Sequence, residues 1–201
     1  MSKIIFLNGC GSSGKSSIAR SIQYLSRDLW LAFGVDTFIN LTPFSYDDKK
    51  SAEYFSFVPG KNVRGPTLRV ETGPKGDQLF GIMPDFANLL ANRGNNLIID
   101  EVLLDDICLQ SYIKALQNHI VYFVSVFCEL SAMQEREILR QDRAIGLSND
   151  QIDRVHVGLR EYDLSVDTTT ASPFNVAKQI LDFVDGPIAP LGFINMQKKL
   201  P

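Results

Sequence analysis

Short apolar runs and helical spacings alternate along the chain. Lys3–Leu7 (KIIFL) is a β-branched apolar run that reads as a buried strand. A glycine-serine loop follows, and Ile18, Ile22 and Leu25 then recur at helical spacing. Trp30–Val35 (WLAFGV) is a second strand with Asp36 at its carboxyl end. From about Thr42 to Lys75 prolines, glycines, charges and scattered aromatics mix, which suits a hairpin or an irregular excursion. Leu79, Met83, Phe86 and Leu90 return to helical spacing, with Pro84 starting or kinking that helix and Gly94 at its C′ position. Asn96–Asp100 (NLIID) is a third strand, ending in the carboxylates Asp100 and Glu101.

The second half repeats the alternation. Residues 105–117 read as a helix. Ile120–Phe127 (IVYFVSVF) is almost wholly apolar, as expected of a strand covered on both faces. Ser131 and Gln134 fit a capping box opening the next helix. Leu164–Asp167 (LSVD) is a last strand. Ser172 and Pro173 then suit N-cap and N1, ahead of a core face of Val176, Ile180 and Val184. The tail from Gly186 has no clear pattern. The expectation is an α/β fold, a parallel sheet with helices on both faces. Such sheets bind ligands beyond the carboxyl ends of their strands, where Leu7, Val35, Asp100 and Asp167 would converge.

Composition narrows the class. The 201 residues suit one domain (1–201), with an acceptor-side excursion at 38–85, a lid at 131–160 and a tail at 186–201. The net charge of -3 gives no basic face for nucleic acid, and Lys49-Lys50 and Lys198-Lys199 are too short to be polybasic patches. Cys10, Cys108 and Cys128 form neither a disulfide framework nor a zinc set, which fits a reducing, cytoplasmic setting. Ile4–Leu7 is too short for a signal h-region, and no apolar stretch approaches the roughly 20 residues of a membrane span.

The chemistry is densest at the first glycine loop. Gly9, Cys10, Gly11, Ser12, Ser13, Gly14, Lys15 and Ser16 match G-x-x-x-x-G-K-[ST] in full, between a strand and a helix. Such a loop turns its amides on phosphate oxygens and adds the helix's positive end. Lys15 would reach the β/γ-phosphates and Ser16 would be a magnesium ligand, with Ser17 in the first helical turn. Asp100 is placed as a magnesium-side carboxylate, or it is simply a solvated strand end. Arg136, Arg140 and Arg143, spaced by four and three, share a helical face. They are either a lid that clamps phosphates and excludes water, or an exposed helix laced with ion pairs. Asp36 is either a general base for an acceptor hydroxyl or a helix N-cap. His156 and His119 read more simply as structural and loop residues, and Cys10 as a small loop residue.

Several stretches together resemble one family. They are IIFLNGCGSSGKSS (Ile4–Ser17), WLAFGVD (Trp30–Asp36), LIIDEV (Leu97–Val102), EREILRQDR (Glu135–Arg143), VHVG (Val155–Gly158) and YDLSVDTT (Tyr162–Thr169). The set, in this order, resembles chloramphenicol phosphotransferase and its relatives, and spans about Ile4 to Val184. The resemblance implies a nucleoside-monophosphate-kinase-like fold with a parallel five-stranded sheet. It implies ATP with magnesium as donor and a small-molecule hydroxyl as acceptor, the primary hydroxyl of chloramphenicol in the namesake. It places the catalytic aspartate at Asp36, the phosphate loop at Gly9–Ser16 and the lid arginines at Arg136, Arg140 and Arg143. Thr168 and Thr169, in the Asp167–Thr170 turn, fall where such kinases hold adenine. The match is poorest from about Phe38 to Asp85.

The leading expectation is an ATP-dependent O-phosphotransferase with a neutral, ring-bearing alcohol as acceptor. Phe38, Phe44, Tyr46, Phe55, Phe57, Met83 and Phe86 would form an aromatic acceptor wall, unless they are plain core. The alternatives are another acceptor (a sugar nucleotide, nucleoside or metabolite) or a regulatory nucleotide-binding module that phosphorylates nothing. Asp36 discriminates between them, because only an acceptor kinase needs a cavity beside that carboxylate.

Overall fold

The computed structural model describes residues 1–43, 51–140 and 145–200. β1 (Lys3–Asn8) is the middle strand of a five-stranded parallel sheet, between β5 (Asn96–Glu101) and β6 (Ile120–Phe127). β2 (Trp30–Gly34) and β7 (Leu164–Asp167) are the outer strands, giving the order β2-β5-β1-β6-β7. β3 (Phe55–Asn62) and β4 (Gly65–Thr72) form a separate antiparallel hairpin. Of the two forms expected for the 42–75 stretch, this part takes the hairpin.

The continuous apolar runs follow from covering both faces of this sheet. Along β1 the side chains alternate, so Ile4 and Phe6 enter one core while Ile5 and Leu7 enter the other. The first core lies under α4 (Met83–Asn92) and α5 (Asp106–Ala115), with Tyr112, Phe123 and Leu109 fully buried. The second lies under α1 (Lys15–Leu25) and α8 (Pro173–Val184), which bring Ile18, Ile22, Val176 and Ile180 onto Ile98 and Val124. Each of these large side chains contributes about 1.5–3 kcal/mol by leaving water.

Several boundaries differ from the sequence reading. The Leu79–Leu90 spacing is carried by two helices, α3 (Pro74–Gly81) and α4, because Pro84 lies in the first turn of the second. The expected capping box at Ser131 does not form. α6 (Leu130–Arg140) starts one residue earlier, with Met133 N–H bonded to Glu129 O at 3.1 Å. Gln134 instead donates to Asn149 Oδ1 on α7 (Leu147–Gln151) at 2.8 Å. Ser172 does cap α8, accepting from Asn175 N at 3.2 Å.

The tail is the larger surprise. α9 (Gly192–Gln197) buries Phe193 and Met196 in the first core, with Phe193 5.4 Å from Phe123 and 5.8 Å from Phe6 between ring centroids. Asp163 ties it down by accepting from Leu191 N (2.6 Å) and Gly192 N (2.8 Å) while its other oxygen accepts from Phe123 N (2.8 Å). Six residues are too few to display a helical period in the sequence. Among the described residues no helix is long and apolar enough to cross a membrane.

Candidate active site

The carboxyl ends of β1, β2 and β5 meet as their parallel register dictates: Leu7 lies beside Asp100, and Asp100 beside Gly34. The approach at Gly34 is unusually close. A Cβ there would stand 2.0 Å from Asp100 O and 2.9 Å from Asp100 Cβ, so a larger residue fits only if the strands part. α2 (Val35–Ile39) starts at once, with Gly34 N–H on Thr37 Oγ1 at 3.3 Å. Asp36 therefore lies in the first turn of α2 rather than on the strand or at its N-cap, where a carboxylate suits the helix's positive end. Its side chain is exposed on a cavity wall.

That cavity has a volume of about 480 Å³. It is lined by phosphate-loop residues including Lys15 and Ser16, by Asp100 and Arg140, and by Asp36, Thr37, Asn40, Arg20 and Gln23. The Lys15 ammonium is buried and donates to Gly9 O (3.0 Å) and Cys10 O (2.9 Å), 3.5 Å from Asp100 Oδ1. Ser16 Oγ donates to Asp100 Oδ2 at 2.6 Å. The loop fits a polyphosphate. Ser12 and Ser13 hydroxyls are buried without a hydrogen-bond partner among the described residues, and Gly14 takes a φ of 94° as the chain enters α1. A hydroxyl and a carboxylate oxygen 2.6 Å apart are the hard oxygen donors magnesium prefers, with phosphate and water completing its shell.

The sequence places Glu101 and Asp100 side by side, but their environments diverge. Asp100 faces the loop, whereas Glu101 points into the core and accepts from Tyr112 Oη at 2.8 Å. Burial pushes the Glu101 carboxyl up to about 7, and the nearby Asp100 charge adds to the effect. Burial likewise raises the Cys10 thiol to about 11, partly offset by Lys15. Cys10 packs with Cys128, Met133 and Val155, as a small apolar loop residue would.

The three arginines expected of a lid separate. Arg136 is part-buried against the phosphate loop and the turn after β7, donating to Thr168 O (2.6 Å), Cys128 Sγ (3.2 Å) and Ser12 O (3.4 Å). Arg140 ends α6 on the cavity. Neither is in an ion pair with another described residue, so the ion-laced surface helix does not describe them. Arg143 lies outside the described residues. Thr168 Oγ1 donates to Ser13 O at 2.7 Å, and Thr169 Oγ1 accepts from Glu129 N at 2.9 Å, so side chains tie this turn to the phosphate loop and to the start of α6. His156 is away from the main cavity, hydrogen-bonded through Nδ1 to Tyr162 Oη at 2.9 Å. Burial, with Arg160 and Lys15 nearby, lowers its pKa.

None of the described residues of the expected aromatic wall lines the cavity. Phe38 and Met83 are core, and Phe86 stacks edge-on with Phe33 and Phe38 at 5.1 and 5.5 Å, because the sheet face beneath α4 needs apolar cover. Phe55 and Phe57 pair with each other on the hairpin at 5.8 Å. Phe44 and Tyr46 lie outside the described residues. The sequence reading missed Arg20, Gln23 and Asn40. Arg20 was legible in principle, being one helical turn beyond Ser16; Asn40 needed the turn of α2.

Comparison with known proteins fits this geometry. Residues 2–185 match the family described as chloramphenicol phosphotransferase-like protein. The chain belongs to that family. Over 200 residues it is 26% identical to a provisionally named O-phosphotransferase of Mycobacterium tuberculosis, covering 98% of this chain and 88% of that one. Three solved structures share the fold at lower identity. The adenylylsulfate (APS) kinase of M. tuberculosis, with AMPPNP and APS, has a TM-score of 0.58 at 13% identity and covers 92% of this chain and 98% of its own. Shikimate kinase from Acinetobacter baumannii, with shikimate, has 0.54 at 13%, covering 92% and 93%. The tunicamycin resistance protein of Deinococcus radiodurans has 0.54 at 17%, covering 94% and 99%. This family member has a P-loop kinase fold and is an O-phosphotransferase.

Proposed function

We propose that this enzyme moves the γ-phosphoryl group of ATP to a hydroxyl of a small molecule held beside Asp36. The observation that carries the reading is the single cavity running from the phosphate loop to that carboxylate. A regulatory module would have no use for it. The acceptor oxygen bonds to the γ-phosphorus as the bond from that phosphorus to the β,γ-bridging oxygen breaks. The acceptor's proton passes to Asp36, and ADP leaves. Lys15 turns from the Gly9 and Cys10 carbonyls to the β/γ-oxygens. Arg136 and Arg140 balance charge as the phosphoryl group moves, which is where fixed cations contribute most. Ser16 and Asp100 would hold magnesium, which draws charge from the phosphate oxygens. The Thr168–Thr169 turn supports the adenine, and the family resemblance assigns Arg143, outside the described residues, to the same phosphate clamp.

A chloramphenicol-like alcohol is the first acceptor to test, on the strength of the family. Incubation with magnesium, ATP and chloramphenicol should give a phosphorylated product by mass spectrometry. Asp36→Asn should lower its formation about 10²–10⁴-fold, the usual worth of positioned acid–base catalysis, with ATP binding kept. A loss under about tenfold would reduce Asp36 to a positioning group. One observation favours a second acceptor class. Arg20, Gln23, Thr37 and Asn40 line the same cavity as Asp36, and Arg20 has no hydrogen-bond or ion-pair partner among the described residues. That lining suits an anionic or hydroxyl-rich acceptor. Brisk transfer to such a compound, with none to chloramphenicol, would replace the acceptor and leave the kinase reading standing.

A further inference from the structure

The hairpin β3–β4 does not stand alone. Its second strand lies along α7, and three hydrogen bonds hold hairpin and helix together, one between backbones (Leu68 N–H to Gly146 O at 3.0 Å) and two from asparagine side chains (Asn149 Nδ2 to Pro66 O at 2.7 Å, Asn62 Nδ2 to Asn149 O at 2.9 Å). Arg64 grips Asp153 through two hydrogen bonds, and Arg69 reaches Asp150 at 3.0 Å. Gly146 takes a φ of 102°, and a Cβ there would come within 3.1 Å of Pro66 O, Thr67 C and Leu68 N. The seam is therefore closed down to bare backbone.

α7 is fixed equally firmly to α6. The buried Glu137 carboxylate accepts from Gly146 N (3.0 Å) and Ser148 N (2.8 Å). Two amides on one buried carboxylate make a strong, directional tie. α6 also carries Arg136 and Arg140, so hairpin, α7 and the lid arginines form one connected unit. That unit meets the phosphate loop through the Arg136 contacts, the packing of Met133 on Cys10, and one buried hydrogen bond. Gln151, at the end of α7, is 8% exposed and accepts from Gly11 N–H at 2.7 Å through Oε1.

We propose that Gln151 is a positioning residue that ties the hairpin–lid unit to the phosphate loop, so that nucleotide in the loop is registered at residues 55–72. This rests on the reading of Gly9–Ser16 as a nucleotide site. The physical basis is that a loop amide bonded to Gln151 moves with the lid, and the lid cannot shift without carrying β4. When phosphate oxygens order the loop, the seam is ordered with it, and amides 55–72 open less often.

Hydrogen exchange of the full chain, with and without AMPPNP, tests this. In the native protein AMPPNP should slow exchange in 9–17 and also in 55–72, the latter by about fivefold or more, the worth of one buried amide kept paired. Gln151→Ala should keep protection of 9–17 and lose that of 55–72. Should Gln151→Ala fail to fold, Gly146→Ala opens the seam from its other end and should give the same split. A hairpin indifferent to AMPPNP in the native protein, or equally responsive in both variants, would overturn the tie while leaving the loop assignment intact. Failure of AMPPNP to bind at all, by calorimetry, would instead remove the nucleotide site on which the tie depends.

Discussion

Gly34→Ala isolates the geometry on which the active site depends without touching a reacting group. The added Cβ would lie 2.0 Å from Asp100 O, whereas ordinary contact begins near 3.4 Å, so β2 and β5 must part by about 1.4 Å at their carboxyl ends. Backbone lies on both sides of the clash, so no flexible side chain can absorb it. Overpacking of this kind costs about 1–3 kcal/mol, or roughly 2–12 °C in Tm for a chain of this size. The larger effect falls on chemistry. Asp36 is two residues beyond the clash and Asp100 is the clashing residue, so the proposed base and the oxygen proposed for magnesium separate by about an ångström. Misplacement on that scale costs about 10²-fold in turnover. Asp100 also holds Lys15 and Ser16 of the phosphate loop, so the Kd for ATP should rise as well, but by less than turnover falls, because β1 and α1 still build the loop. Differential scanning fluorimetry, ATP calorimetry and product formation with an accepted alcohol measure the three quantities separately. Turnover retained with an unchanged Tm would refute the claim that this close approach sets the catalytic geometry.

Other outcomes follow from the same site. Lys15→Ala removes a buried ammonium beside Asp100 and should weaken ATP binding by roughly 1.5–3 kcal/mol; an unchanged Kd in calorimetry would contradict the phosphate-loop assignment. Arg140→Ala should depress kcat more than it raises the KM for ATP, since its charge matters most as the phosphoryl group moves. A change confined to Tm would return Arg140 to a structural role. Glu101 is held protonated in the fold up to about pH 7 and ionises near its ordinary 4.5 when unfolded. Its contribution to stability is thus complete below about 4.5 and is lost as pH rises through 7, at up to about 1.4 kcal/mol per pH unit. Glu101→Gln should flatten Tm against pH over that window, and an unaltered slope would count against a buried, neutral Glu101.

What the sequence determined and what the tertiary structure decided divide along a physical line. Local chain chemistry was legible. Apolar runs covered on both faces announced β1, β5 and β6, and the spacing of glycines, Lys15 and Ser16 announced the phosphate loop. Both are properties of residues near one another in the chain. Asp36 could be placed at a strand end for the same reason. What could not be read depends on partners far apart in sequence. Adjacent Asp100 and Glu101 look equivalent until the strand's alternation sends one to the loop and the other to Tyr112. Phe38 and Met83 look like an acceptor wall until the core claims their surface, and Phe86 instead packs edge-on against Phe33 and Phe38. The tail looks patternless until Asp163 and a pocket between Phe6 and Phe123 give its short helix a reason to form. Gln151 meets Gly11 across 140 residues, a contact created when the lid packs on the hairpin rather than by any local preference.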